Sequence, residues 1–290
     1  MKRTGNRPPM GYPLPRLASS LTHEEICYFE PYFLTSLIFV VSVNRPRVLQ
    51  VRNYGRNLQI REITFRNPIL AVKCNRKRVV VCLEEALIIH NISDMQVVYT
   101  VKETAPNPRG IIDLSANEEN CFLAYPGANH IGEVIIYDAA IGQARMMIPA
   151  HDSPLAAIAF NNSGTKIATA SEKGTVIRVF STLDGVSLSE CRRGLKRCVS
   201  IFSLAFSPDS KYLCASSNTE TVHIFKLGAA SESEPGAAEG SSSPVQGWME
   251  YFRRAASNLH NQVTELFSQG RSFAYVRLPC QELRNICTLT

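Results

Sequence analysis

Residues 155–180, "LAAIAFNNSGTKIATASEKGTVIRVF", can be laid over residues 201–225, "IFSLAFSPDSKYLCASSNTETVHIF", so that Ala159-Phe160 falls on Ala205-Phe206 and the pair Ser171/Thr175 falls on Ser217/Thr221. A repeat of this length cannot bury its apolar face alone, so self-similarity points to a propeller or a solenoid, in which each unit is covered by its neighbours. Fainter units begin at Ile69 and Ile111, and starts at 69, 111, 155 and 201 are separated by 42, 44 and 46 residues. Each unit holds three or four short β-branched runs bounded by Asn, Gly, Asp or Pro, which reads as one four-stranded blade. A less regular unit precedes them, with "SLIFVVSV" (36–43), "RVLQVRNY" and "LQIREITF" as its strands, and "NICTLT" at the end has the pattern of a first strand of another. The expected fold is therefore all-β, a propeller of about five blades and part of a further one. It would occupy residues 34–290 as an incomplete ring, behind a divergent segment 1–33 expected to be poorly ordered.

Between the two clearest repeats stand Arg192, Arg193 and Gly194. Successive side chains of an extended strand point to opposite faces, so neighbouring arginines there would serve two different pockets. A planar guanidinium beside converging hydroxyls suits a phosphate ester, because the fork binds two oxygens and each O–H satisfies another. The competing reading is a solvated Arg-Arg turn, with Ser171, Thr175, Ser217 and Thr221 as ordinary turn hydroxyls bonding the backbone.

A long insertion separates Leu227 from Ser272, where a hairpin would normally be tight. Its first part, residues 228–244, is small, polar and Pro-containing, the composition of a flexible tether. In residues 245–270, Trp248, Phe252, Ala255, Leu259 and Val263 recur at steps of three or four before Gly270, which predicts an amphipathic helix. Trp248, Met249, Tyr251 and Phe252, next to Arg253 and Arg254, suit a membrane interface, although the same stripe could pack on the propeller wall.

The phrases "CNRKR", "CLEEALIIHNI", "AYPG", "IPAHDSPLAA", "ATASEKGTVIRVFS", "RRG", "KRCVSI" and "SSNTETVHIFKL" resemble the WIPI branch of the PROPPIN family. The likeness runs from about residue 34 to the end and is densest over 150–227. It implies a seven-bladed propeller that binds phosphatidylinositol 3-phosphate and its 3,5-bisphosphate on autophagic membranes, of which this chain would be a truncated or alternative form. Carried over residue by residue, one headgroup site would comprise His151, Ser171, Thr175, Arg178 and Arg192. The second would comprise Arg193, Ser217, Thr219, Thr221 and His223, with Gly194 following the arginine pair and Arg271 at the rim. The insertion would enter the bilayer. A basic surface near "CNRKR", with Arg76 and Arg78, would recruit the lipid-conjugation machinery of autophagy, a hairpin with solvated charges being the equal alternative. One departure falls inside the motif: Cys191 stands where the family has Phe or Leu, which implies a looser pocket. The resemblance further implies a cytoplasmic protein recruited peripherally to preautophagosomal and endosomal membranes.

Bulk properties set limits. The chain is 45% apolar, enough for a sizeable core, and its net charge of +6 agrees with acidic partners without indicating nucleic acid. Nine cysteines without a Cys-x-x-Cys pair argue for reduced thiols and against a metal site. There is no Gly-x-Ser-x-Gly elbow, His-Glu-x-x-His or phosphate-binding loop, so catalysis and cofactors are not expected. The second reading of the whole is a protein adaptor propeller with weak or no lipid affinity.

Overall fold

The structure, a computed structural model, describes residues 25–32, 35–193, 199–219, 221–228, 272–278 and 285–289. Each repeat unit forms one antiparallel four-stranded sheet. The first contains β1 (Ile26–Pro31), β2 (Leu37–Ser42), β3 (Val48–Asn53) and β4 (Leu58–Thr64), and the second β5 (Ala71–Cys74), β6 (Arg78–Cys82), β7 (Ala86–Asn91) and β8 (Val97–Lys102). The third contains β9 (Asp113–Leu114), β10 (Phe122–Pro126), β11 (Gly132–Asp138) and β12 (Gln143–His151). The fourth contains β13 (Leu155–Phe160), β14 (Lys166–Ser171), β15 (Val176–Ser181) and β16 (Ser187–Arg192). The fifth contains β17 (Ile201–Phe206), β18 (Tyr212–Ser217), β19 (Thr221–Lys226) and β20 (Ala274–Arg277). Strands pair in chain order within every sheet, and the first strands β1, β5, β9, β13 and β17 meet in succession. This is the blade succession of a β-propeller, and the described part is all-β.

The core lies between sheets rather than within one. Four apolar clusters occupy the four joints between consecutive sheets. Strand alternation feeds them: on β6, Val79 and Val81 face the first sheet whereas Val80 and Cys82 face the third. On β10, Leu123 and Tyr125 face the second sheet whereas Phe122 and Ala124 face the fourth. A middle strand is therefore apolar on both faces, and this explains why these runs read as continuous β-branched stretches. Near the meeting line of the first strands, Lys73 Nζ on β5 lies 3.4 Å from Asp113 Oδ1 on β9, and Asp113 Oδ2 accepts the Phe160 amide of β13 at 2.7 Å. Polar bonds thus tie three sheets where their first strands converge.

At two boundaries the structure differs from the sequence reading. The first sheet takes its inner strand, Ile26–Pro31, from the segment 1–33 set aside as divergent and poorly ordered, and it pairs Phe29 with Val40 and Pro31 with Ile38. Exposure alternates along this strand, but its sequence ICYFEP sets apolar residues side by side, so it lacks the apolar-polar alternation by which such a strand is recognised. Residues 285–289 of the expected next strand have no ladder partner; they lie on the fifth sheet through hydroxyls, the Cys287 amide donating to Ser203 Oγ at 2.9 Å and Ser216 Oγ donating to the Asn285 carbonyl at 3.2 Å. The insertion joins β19 to β20, whose register sets Thr221 opposite Arg277; its expected helix, with Trp248, Met249, Tyr251 and Phe252, lies outside the described residues.

Because the joints carry the fold, Leu123→Ala, at a fully buried side chain between the second and third sheets, is expected to cost about 2–5 kcal/mol in denaturant unfolding. Leu58→Ala, on the exposed outer strand β4, should change stability by less than about 0.5 kcal/mol.

Candidate functional site: the junction of the fourth and fifth sheets

The end of β16 directs three consecutive side chains to different surroundings. Cys191 points into the joint between the fourth and fifth sheets, 2% exposed, and burial pushes its thiol up to about 11. It fills the apolar slot as a small hydrophobe. Glu190 and Arg192, two residues apart, share the opposite face. Arg193 follows the strand, donates its amide to the Thr175 carbonyl at 3.1 Å and extends its guanidinium to Thr219 Oγ1 beyond β18. The two guanidiniums therefore serve different sheets, as the alternation of an extended strand requires.

Around Arg192, the fourth sheet gathers most of the first predicted set. The ladder sets Val176 opposite Arg192 and Arg178 opposite Glu190. Arg178 is engaged on two sides: Nε donates to Glu190 Oε2 at 2.9 Å and Nη1 to the Ala150 carbonyl of β12 at 2.6 Å. Arg192 Nη2 donates to Glu190 Oε1 at 2.8 Å. Burial alone would raise the Glu190 carboxyl, but the two guanidiniums outweigh it and hold the group below the ordinary carboxylate range. His151 closes β12, its Nε2 2.9 Å from Thr169 Oγ1, and burial followed by the nearby Arg178 charge lowers it to about 4. Ser171 is buried at the end of β14, and Thr175 is half-buried at the start of the return; neither hydroxyl bonds an arginine among the described residues. The turn between them is tight. Gly174 has φ +61°, and a Cβ there would stand 1.9 Å from the Val199 carbonyl oxygen, so no other residue fits without moving the chain entering the fifth sheet.

The second predicted set forms one continuous chain of bonds. From Arg193 the chain passes to Thr219 Oγ1, which lies 2.9 Å from Ser217 Oγ and 3.2 Å from Thr221 Oγ1, and Thr221 Oγ1 lies 3.2 Å from His223 Nε2. Its two ends carry buried nitrogens with no hydrogen-bond partner among the described residues, Arg193 Nε and His223 Nδ1. Burial, then the Arg193 charge, lowers the His223 imidazole below its ordinary value, so it is neutral at pH 7. Gly194 and Arg271 lie outside the described residues.

The predicted partner surface divides. Arg78 clamps the joint of the second and third sheets, Nε donating to the Ala139 carbonyl at 2.9 Å and Nη2 to the Ala140 carbonyl at 3.3 Å. Arg76 is exposed and ion-pairs with Glu118 at 3.1 Å, and Lys77 Nζ donates to the Glu118 carbonyl at 2.6 Å. Sequence reasoning missed Glu190, although its two-residue offset from Arg192 on a strand already put the two charges on one face.

With this geometry in view, the sequence model of the family described as PROPPIN matches residues 16–290. WD repeat domain phosphoinositide-interacting protein 2 of Mus musculus is 55% identical over 271 residues, covering 92% of this chain and 59% of that protein. Autophagy-related protein 18 of Caenorhabditis elegans is 41% identical, covering 90% of this chain and 64% of that protein. Among solved structures, the complex of KlAtg21 with the coiled coil of AgAtg16 superposes with a TM-score of 0.65 at 31% identity, over 70% of this chain and 67% of that one. The chain spans about three fifths of the length of the curated relatives it matches first.

Two outcomes follow from the site's packing. Gly174→Ala is expected to lower stability by at least about 1 kcal/mol in thermal unfolding, because both the backbone conformation and the Val199 carbonyl oppose a Cβ. For His151, the imidazole is lowered in the fold, so the unfolded chain takes up the proton first and stability is lost as pH falls below about 6.5. The loss should reach about 2 kcal/mol at pH 5 relative to pH 7 and shrink in His151→Asn, measured by denaturant unfolding at each pH.

Proposed function

This chain belongs to the PROPPIN family, and we propose on that premise that it is a non-enzymatic propeller that binds phosphatidylinositol 3-phosphate and the 3,5-bisphosphate on autophagic membranes through two headgroup sites. The observation that carries this reading is the chain of hydroxyls from Ser217 to Thr221 set between Arg193 and His223, with a buried nitrogen at each end that has no partner among the described residues. A buried donor without an acceptor costs about 1–3 kcal/mol, a cost that a phosphate oxygen reaching it would offset. Lipid phosphates are acceptor-only partners of matching charge. His151, Ser171, Thr175, Arg178 and Arg192 form the first site in this reading, and Arg193, Gly194, Ser217, Thr219, Thr221, His223 and Arg271 the second.

Membrane residence rests on more than headgroups. Among the described residues no helix is long and apolar enough to cross a membrane, which fits attachment from one side. Two headgroup pockets and the apolar end of the insertion, Trp248, Met249, Tyr251 and Phe252, engage one surface together, so each later contact becomes intramolecular. The relative whose structure holds an Atg16 coiled coil supports a second role, recruitment of autophagy machinery, with Arg76 and Arg78 as its basic residues in this reading, Arg76 being exposed and paired with Glu118.

In co-sedimentation with phosphatidylcholine vesicles carrying phosphatidylinositol 3-phosphate, Arg192→Ala with Arg193→Ala is expected to lower affinity by roughly a hundredfold or more. Undiminished binding by the double variant would overturn the assignment. A phosphate next to His223 raises its affinity for a proton, so binding takes up a proton and strengthens as pH falls from 8 to 6. His223→Gln should flatten that dependence, measured with the same vesicles.

A further inference from the structure

The two sites are not electrostatically alike. The first contains its own anion: Glu190 Oε1 accepts from Arg192 and Oε2 from Arg178, and both bonds are shorter than 3 Å. Among the described residues the second holds no such ion pair, Arg193 bonding a hydroxyl and the backbone, while Glu220, between Thr219 and Thr221 in sequence, lies outside the described residues. We infer that Glu190 is an internal counter-ion that occupies the first arginine pocket, so the second pocket is the primary anion site and the first is filled only against competition from Glu190.

The geometry supports this in three ways. First, strand register places the carboxylate. Glu190 lies opposite Arg178 in the β15–β16 ladder and two residues before Arg192, so its backbone is held beside both guanidiniums and the carboxylate leaves only by a side-chain rotation that breaks both bonds. Its side chain is about a quarter exposed, hence less screened than an open surface pair, while Arg192 remains half in solvent and within reach of an incoming phosphate. Second, the requirements of the first site are already met. Arg178 spends Nε on Glu190 and Nη1 on Ala150, leaving only part of one fork and the outer edge of Arg192 for a ligand. Third, the second site has the opposite state, with Arg193 Nε and His223 Nδ1 buried and without a partner among the described residues. A phosphate arriving there gains bonds without displacing any acidic group among the described residues. At the first, each oxygen it brings meets a carboxylate bound to the same two guanidiniums, and two anions sharing a site repel.

This ranking deepens the headgroup reading given above and rests on it. Equilibrium binding to phosphatidylcholine vesicles carrying phosphatidylinositol 3-phosphate tests it with four variants. Arg193→Ala should weaken binding roughly tenfold or more, and Arg192→Ala less than about threefold, as charge-assisted bonds to an open and a compensated site require. Glu190→Gln, which keeps shape and removes charge, should strengthen binding roughly threefold to tenfold. Combined with Arg193→Ala, it should recover part of the lost affinity by opening the first pocket. Equal losses from the two arginine variants would overturn the proposal, and that comparison does not depend on how well Glu190→Gln folds. Weaker binding by a folded Glu190→Gln protein, with an unchanged melting temperature, would also overturn it and assign Glu190 to holding the arginines in place. Wild-type binding that survives loss of both arginines would instead overturn the headgroup reading itself, so the two failures are distinguishable.

Discussion

Everything in this molecule depends on sheets packed face to face, each covering what its neighbour leaves open. A single sheet of this kind is apolar on both sides, so no repeat is stable alone, and the fold exists only as a succession. The consequence is visible on the middle strands. Val79 and Val81 belong to one joint, Val80 and Cys82 to the next, so a shift of one residue would exchange the two cores and leave neither packed. Registry of this strictness fixes the edge of each sheet as firmly as its centre.

That rigidity is what makes β16 useful. Its last residues follow the same alternation that builds the joints: Cys191 turns inward to the core, Glu190 and Arg192 outward to the face of their own sheet, and Arg193 across to the next. Two adjacent cations, which would otherwise repel, are thereby delivered to separate environments. One meets a carboxylate and the other meets hydroxyls. The headgroup assignment and the ranking of the two pockets follow from the same strand geometry, because the side chain that compensates Arg192 is placed by the same two-residue period that keeps Arg193 away from it.

The repeat period and the β-branched runs were enough to read blades, their number and the middle strands, since both-face burial leaves a direct trace in composition. Two boundaries were not legible. The strand Ile26–Pro31 lacks apolar-polar alternation and is half-exposed, so nothing in its pattern separates it from a tail, and residues 285–289 are held by Ser203 and Ser216 hydroxyls rather than by a ladder. At the site, Ser217 and Thr221 were legible from the repeat alignment, whereas Thr219 and His223, which complete the chain of bonds, were named only through the family resemblance. The offset of Glu190 from Arg192 was visible in the sequence, but its pairing with Arg178 was not, because pairing across β15 and β16 depends on register, which no single stretch of sequence displays. Arg78 likewise looked like an exposed charge in a turn, whereas its bonds go to carbonyls more than sixty residues away.

The central claim is that Arg192 and Arg193 open onto two separate anion sites. Calorimetric titration with the soluble headgroup inositol 1,3-bisphosphate tests it most directly, without vesicles or the insertion. The account predicts two headgroups bound per chain with unequal affinities, and one when either arginine is removed; a single headgroup bound to the unaltered protein, lost on changing either arginine, would contradict it.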